Sequence, residues 1–312
     1  MFDYELELFD RLEVIKATVA KHGEENFYLS FSGGRDSTML HYLVDKALPG
    51  NSIPRVYMNT GLELSEVVKH VKSMAKEDPR IIIVNSTIPV RKSLDDNGYP
   101  FKSKEFSRYA DIYFRRGFTK SVKRYFDFNE RRQVFPSKLK CVFEPGFPLH
   151  ISDKCCEIRK EKPIWEWAKE HGKSIALVAL VGGEGGRRDS FSKGKDGQTH
   201  CFVERSSRQK YFYPLRKVDM DFVNEFIKRE NIRLCSLYYP PFSFRRTGCK
   251  GCPFAIDLQE QLDALEDHFP AERRQCEAIW KPVYDEYRRL GYRLKDEPRQ
   301  MALDFGEGDD ER

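Results

Sequence analysis

The chain has 312 residues, 40% hydrophobic and 33% charged, with a net charge of +5. That length suits one large α/β domain or a domain with an appendage, and so mild a basic excess names no partner by itself. The longest unbroken apolar run, Ile175–Val181, is too short to cross a bilayer. The acidic opening MFDYELELFD is unlike a secretory signal. Eight cysteines behind such an opening fit a reducing compartment, where clustered thiols bind metal or do chemistry more often than they pair. The expectation is a cytoplasmic protein with no membrane partner.

In chain order, Leu6 to Val19 has apolar residues at helical spacing and predicts an N-terminal helix. Phe27–Phe31 reads as a buried strand, Asp36–Leu48 as a helix, Arg55–Met58 as a second strand, Ser65–Glu77 as a second helix, and Ile81–Val84 as a third strand. This alternation predicts a parallel sheet with right-handed crossovers. A short helix over Pro163–His171 precedes a further strand, Ser174–Val181. Asp219–Asn231 is another helix, Asp257 to Leu290 is helical throughout, and the acidic stretch from Asp304 is expected to be disordered. There is no internal repeat.

Between the first strand and its helix lies Ser32-Gly33-Gly34-Arg35-Asp36-Ser37. A loop joining a strand end to a helix N-terminus gathers free backbone N–H groups, and glycines let an anion approach them closely, so phosphate is the natural ligand. The bland alternative is an ordinary turn with Asp36 as a helix cap. No Gly-Lys-Ser/Thr follows at the spacing of a Walker A loop.

The string resembles the SGGxDS loop of the PP-loop pyrophosphatase superfamily. Four further segments narrow the resemblance to the phosphoadenosine phosphosulfate reductase family. Val56–Leu64 is similar to that family's second-strand "DTG" segment, with Asn59 where an aspartate is usual. Gly186-Arg187-Arg188-Asp189-Ser190 is similar to its glycine-arginine segment, one residue shorter. Tyr213-Pro-Leu-Arg with the following helix, and Arg246-Thr-Gly-Cys-Lys-Gly-Cys-Pro, resemble two more of its elements. The resemblance implies an adenine nucleotide α-hydrolase-like fold: α/β, a Rossmann-like parallel sheet with a helical insertion and a helical C-terminal part. It implies that Ser32, Gly33, Gly34, Arg35, Asp36 and Ser37, with Asn59, Thr60 and Gly61, bind ATP or an adenosine sulfonucleotide. Asp36, Arg187, Arg188 and Cys201 are the candidate catalytic residues. The expected organisation is a PP-loop domain over 1–255 with a basic insertion at 102–140, a helical extension over 256–303, and an acidic tail over 304–312.

Cysteines form the second constellation. Cys249-Lys-Gly-Cys252 puts two sulfurs on one side of a tight turn, as a tetrahedral metal or a cluster corner requires. Cys155 and Cys156 are adjacent, so their side chains diverge by roughly 100° if helical. The four residues are open to three readings: structural thiols, a zinc site, or a 4Fe–4S cluster. The resemblance favours the cluster, because the set is similar to that of the family's adenylylsulfate-reducing branch. One departure bears on function. The family's reductases use a cysteine in a C-terminal Glu-Cys-Gly-x-His element, whereas the last cysteine here is Cys276, in RRQCEAI. Cys201 is the better spare thiol, and Cys141 and Cys235 read as structural.

From Lys102 to Lys140 there are twelve Lys or Arg against four Asp or Glu. Phe106, Tyr109, Tyr113, Phe114, Phe118, Tyr125, Phe126 and Phe128 are interleaved with them. Cations neutralise phosphates and exposed aromatics stack on bases, so one reading is a nucleic-acid surface. The other is an amphipathic insertion with a core aromatic face and a solvated charged one. Three functions compete. The first is ATP-dependent adenylation coupled to sulfur transfer onto a nucleic acid, with a sulfur donor protein. The second is reduction of adenylylsulfate or phosphoadenylylsulfate, with an electron donor protein. The third is a non-catalytic nucleotide or nucleic-acid binding module.

Overall fold

The computed structural model describes residues 3–131, 136–182, 201–206 and 209–294. The helices are α1 (Tyr4–His22), α2 (Arg35–Ala47), α3 (Ser65–Glu77), α4 (Val90–Asn97), α5 (Lys104–Arg116), α6 (Lys120–Arg131), the single turn α7 (Lys154–Cys156), α8 (Lys162–Glu170), α9 (Met220–Arg229), α10 (Leu258–His268) and α11 (Pro270–Arg289). The strands are β1 (Phe27–Phe31), β2 (Arg55–Asn59), β3 (Ile81–Asn85), β4 (Ile175–Leu177), β5 (Phe202–Ser206) and β6 (Gln209–Phe212). A π-helical segment, Glu157–Glu161, joins α7 to α8. No helix among the described residues is long and apolar enough to cross a membrane.

The chain divides into two compact units. One comprises 1–98 and 154–250, the other 99–153 and 251–312. The basic insertion and the C-terminal helices therefore fall in the same unit.

The first unit holds the sheet, ordered β3-β2-β1-β4-β6-β5 and parallel except for the β5–β6 hairpin. This is the parallel α/β fold expected from the alternating pattern. Phe27, Leu29 and Phe31 of β1 are buried, and so are Met39, Leu40, Leu43 and Val44 of α2, the helix that follows it. Tyr28, Val56, Met58 and Ala176 on alternate strand positions meet Ile164, Trp167 and Ala168 of α8. The chain goes from β1 through β2 to β3 on one side and returns to β4 on the other. The carboxyl ends of β1 and β4 thus form a topological switch point, where open α/β sheets bind ligands.

Local chemistry accounts for three differences from the expectation. The strand predicted over Ser174–Val181 pairs only at Ile175–Leu177, because Gly182 N–H then turns to the Val218 carbonyl (2.8 Å). The helix predicted from Asp257 to Leu290 breaks between His268 and Pro270, where the proline has no N–H to continue it and opens α11 instead. The β5–β6 hairpin was not anticipated.

The second unit is built on aromatic residues. Phe101, Phe106, Trp280, Tyr284 and Tyr287 are fully buried, and Phe101 and Tyr287 meet edge to face at 4.7 Å. The Tyr287 hydroxyl accepts from Lys102 N–H (2.7 Å) and donates to the Pro253 carbonyl (2.9 Å).

Candidate functional site

The Ser32–Ser37 loop leaves the carboxyl end of β1 and opens α2, so it lies at the switch point. Gly33 has φ +69°, and a Cβ there would stand 2.5 Å from Val71 Cγ2, so this turn needs glycine. Gly34 has an ordinary extended backbone, φ −82° and ψ 166°. Ser37 is buried and its hydroxyl organises the loop. It lies 2.9 Å from Ser32 Oγ, donates to the Gly34 carbonyl (3.0 Å) and accepts from Ser32 N–H (3.2 Å). Asp36 pairs with Arg35 at 3.2 Å rather than capping the helix, and Gly34 stands at the cap without a side-chain hydrogen bond. The reading of Asp36 as a cap is therefore set aside.

Two residues that the sequence reading did not connect with this loop close over it. Tyr238 accepts from the Arg35 backbone N–H (3.0 Å) and shares a hydrogen bond with Thr247 Oγ1 (2.9 Å). A Cβ at Gly34 would stand 3.1 Å from Thr247 Oγ1 and 3.3 Å from Tyr238 Oη. The hydroxyls and the α2 N-terminus thus surround a small polar cradle whose floor is the glycine.

The Asn59–Gly61 segment follows β2. Asn59 Nδ2 donates to Asn85 Oδ1 (2.8 Å), and Gly61 takes φ +79°. Glu63 was also missed. Its carboxylate accepts from the Thr60 backbone N–H (2.9 Å) and from Thr60 Oγ1 (2.7 Å), which fixes the turn. Glu63 also forms an antiparallel bridge with Cys249, and Lys250 N–H donates to the Leu62 carbonyl (2.6 Å). Cys249 is in this way laid against the turn after β2, two residues from the threonine that stands over the Ser32–Ser37 loop.

Cys155 is buried and Cys156 half-buried on α7. Four residues on, the buried Arg159 donates to the Thr60 carbonyl and, at 2.6 Å, to the Ile88 carbonyl. Burial lowers the Arg159 pKa, and negative charge at Cys155, Glu63 and Cys249 would restore it. Cys155, four residues before Arg159, and Cys249, bridged to the Glu63 that holds Thr60, are thus both tied to the segment around this buried cation. Cys252 is half-buried and follows Cys249 by three residues.

A model of the phosphoadenosine phosphosulfate reductase domain matches residues 112–255. The match spans a little under half of the chain. The matched span contains all four cysteines of the CC…CxxC set. Three solved structures show similarity. Phosphoadenylyl-sulfate reductase from Candida auris is 12% identical with TM-score 0.41, covering 76% of this chain and 93% of that one. The U34-tRNA thiolase NcsA from Methanococcus maripaludis, with its 4Fe–4S cluster, is 13% identical with TM-score 0.40, covering 96% and 83%. NH3-dependent NAD synthetase from Campylobacter jejuni is 12% identical with TM-score 0.39, covering 96% and 100%. No curated protein matches the chain.

The remaining candidate residues are less well gathered. Arg187 and Arg188 lie outside the described residues. Cys201 stands just before β5, its sulfur 3.7 Å from Arg11 Nη1. β5 is three strands from β1, about 14 Å at the usual strand spacing. Cys235 is buried, and burial pushes its thiol up. Cys276 is wholly buried, and a Cβ at Gly251 would stand 2.8 Å from its sulfur.

In the basic segment the aromatics face inward. Phe106 and Tyr125 are buried, Tyr109 stacks on Tyr125 at 4.3 Å, and Phe126 meets Phe143 at 4.3 Å. Phe118 is exposed, and the Phe128 side chain lies outside the described residues. Of the two readings of this segment, the burial of Phe106 and Tyr125 favours an amphipathic insertion with a core aromatic face, while Phe118 stays exposed. The charges do face solvent. Arg108, Arg116, Lys120, Lys123 and Arg124 are exposed and make no ion pair among the described residues.

Among the described residues, the group of three candidate ligands whose atoms lie within 4.8 Å of one another is His41, Asp45 and Asp78, and the cysteines form no such group. Arg80 and Arg55 already supply positive charge there, at 2.8 and 2.6 Å from Asp45, so the group is an ion-pair network.

Proposed function

We propose that this chain is an adenine-nucleotide enzyme that binds ATP at Ser32–Ser37, adenylates an acceptor with release of pyrophosphate, and delivers sulfur to a nucleic acid. The observation that carries the reading is the position of Thr247. Its hydroxyl closes the Gly34 cradle, and Cys249 follows two residues later against the turn after β2. The phosphate loop and a thiol of the cysteine set thus adjoin within one unit.

The chemistry follows from that neighbourhood. Backbone N–H groups at the α2 N-terminus and the Ser32 and Ser37 hydroxyls hold the phosphates and offset charge that develops on the leaving pyrophosphate. An acceptor oxygen attacks the α-phosphorus as the bond to pyrophosphate breaks. A sulfur nucleophile then displaces AMP from the activated carbon. Arg187 and Arg188 are assigned to the same phosphates.

The thiolates of Cys155, Cys156, Cys249 and Cys252 are assigned to a 4Fe–4S cluster, with zinc as the alternative. Soft sulfur donors suit either metal, and the buried cation of the segment to which Cys155 and Cys249 are tied suits an anionic thiolate centre. When bound, the cluster would supply a place to hold sulfur near the loop. A relay through Cys201 would have to cross the three-strand distance. The acceptor is assigned to the solvent-facing cations of α5 and α6, which would read a phosphate backbone rather than stacked bases.

Reduction of a sulfonucleotide is the weaker reading. It needs a thiolate that reaches the bound sulfur, and Cys276, the last cysteine, has no exposed surface. Anaerobic protein is incubated with ATP and total tRNA, or with each sulfonucleotide and thioredoxin, while pyrophosphate and sulfite are followed. The expected product is pyrophosphate and not sulfite. Sulfite formation abolished by Cys276→Ser would overturn the proposal.

A further inference from the structure

The buried side-chain donors of the first unit that lack an acceptor among the described residues include Arg159 Nε and the Tyr57 hydroxyl. Arg159 is 3% exposed, and while its two Nη groups bind the Thr60 and Ile88 carbonyls, its Nε–H has no partner among the described residues. Tyr57 is 1% exposed and its hydroxyl is likewise unpartnered. Native proteins rarely leave such groups unsatisfied, so each one calls for an explanation. Both donors have the same surroundings. Arg159 donates to the Thr60 carbonyl, Tyr57 stands three residues before Thr60, and Glu63, which accepts from Thr60, bridges Cys249. Glu63 is occupied by Thr60 and accepts from neither donor. Cys249 is the candidate metal ligand common to both.

We infer that Arg159 and Tyr57 are the positioning residues of the thiolate centre, Arg159 as its buried counter-charge and the Tyr57 hydroxyl as a donor to the Cys249 side. The inference rests on the metal-thiolate reading above. Thiolates that ligate a metal keep negative charge, and a buried negative centre is held by a nearby cation and by hydrogen bonds to its sulfurs. Arg159 meets the first need and also ties the centre to the turn after β2 through Thr60. Tyr57, which projects from the middle of β2, meets the second. Neither residue belongs to the CC…CxxC pattern. Their roles follow from burial and from open donor valence.

The test uses the full chain, purified without oxygen and reconstituted with iron and sulfide, as wild type, Arg159→Met, Arg159→Lys and Tyr57→Phe. Metal per chain, reduction potential and thermal unfolding are measured together. Tyr57→Phe removes only a hydroxyl, so it should fold and keep its metal while its potential moves lower. Arg159→Met should retain less than half of the wild-type metal, and Arg159→Lys, which keeps the charge, should recover part of the loss. If the wild type holds zinc, release to a chelator should be about tenfold faster in Arg159→Met and Tyr57→Phe. Folded variants with wild-type metal content, potential and release rate would overturn the inference and leave the thiolate reading intact. A wild type that binds neither metal would remove the thiolate reading and this inference with it.

Discussion

The two adjacent glycines of the loop should fail in opposite ways when each is replaced by alanine. At Gly33 the backbone lies at φ +69°, where an L side chain costs about 1–2 kcal/mol. The new Cβ would also press on Val71 at 2.5 Å, an overpacking that typically costs about 1–3 kcal/mol. A stiffer unfolded chain returns about 0.4–1 kcal/mol. The net loss is roughly 1–5 kcal/mol, a fall in Tm of roughly 2–7 °C at about 2.1 cal/mol/K of unfolding entropy per residue. At Gly34 the backbone is extended and unstrained, so Gly34→Ala should leave Tm within a few degrees of wild type. Its Cβ instead fills the cradle beneath Thr247 and Tyr238 and keeps a phosphate from the loop's N–H groups. One lost hydrogen bond to a charged group is worth about 1.5–3 kcal/mol, which weakens ATP about 10- to 150-fold. Calorimetric ATP titration beside thermal unfolding separates the two effects. Wild-type ATP affinity in Gly34→Ala, or a wild-type Tm in Gly33→Ala, would refute the reasoning.

Removing the Ser37 hydroxyl with Ser37→Ala takes away the bonds to Ser32 and Gly34 and should also weaken ATP by calorimetry, with the fold retained. Anaerobically purified protein should carry about four irons per chain, and Cys155→Ala or Cys252→Ala should lose most of them in elemental analysis. Replacing Arg116, Lys120, Lys123 and Arg124 with Gln should lower the salt slope of nucleic-acid binding by about 3, read by anisotropy, with little change in ATP affinity. Burial, and then the Arg55 charge, lower the His41 pKa from 6.5 to about 4. Its Nδ1 accepts from Arg55 Nε at 3.1 Å, so the neutral ring is the native form. The unfolded state then binds more protons between those values. Stability should be full above about pH 6.5 and fall by up to about 3 kcal/mol towards pH 4, and His41→Gln should flatten that profile in urea titrations.

What the sequence made legible is what is local in it. The β1–loop–α2 unit spans fewer than twenty-five residues, and its apolar run, paired glycines and helical spacing state its geometry directly. Tyr238 and Thr247 stand about two hundred residues from the loop they close, and no spacing rule connects them to it. Glu63 and Arg159 were illegible for a related reason, since a charged residue after a strand or on a helix reads as solvated until its burial is known. Two features had a signal that was available. Pro270 marks the break in the C-terminal helix. Phe106, Ala110 and Tyr113 recur at helical spacing, the signature of a core face rather than of rings presented to bases. The assignment of 255 as the end of one domain treated the chain as serial, whereas segment 99–153 groups with the C-terminal helices.

On the proposed function, the segment from Thr247 to Lys250 is what joins the nucleotide loop to the cysteine pair. It is fastened at both ends, at Thr247 by Tyr238 and at Lys250 by the Leu62 carbonyl, with Cys249 bridged to Glu63 between them. Two residues of chain span at most about 7 Å, so the Cys249 backbone stays within that distance of the threonine over the phosphate loop. Tyr238 in turn bonds the Arg35 N–H, one of the donors a phosphate would claim. A phosphate arriving there competes with the Tyr238 hydroxyl, and displacement of Tyr238 acts first on Thr247, the residue it holds. The bond network therefore gives events at the loop a direct mechanical route to Cys249, through two residues and no intervening element. Cys201, across three strands, has no comparable connection, which is why the sulfur chemistry is placed at Cys249 rather than at the thiol the sequence favoured as a relay.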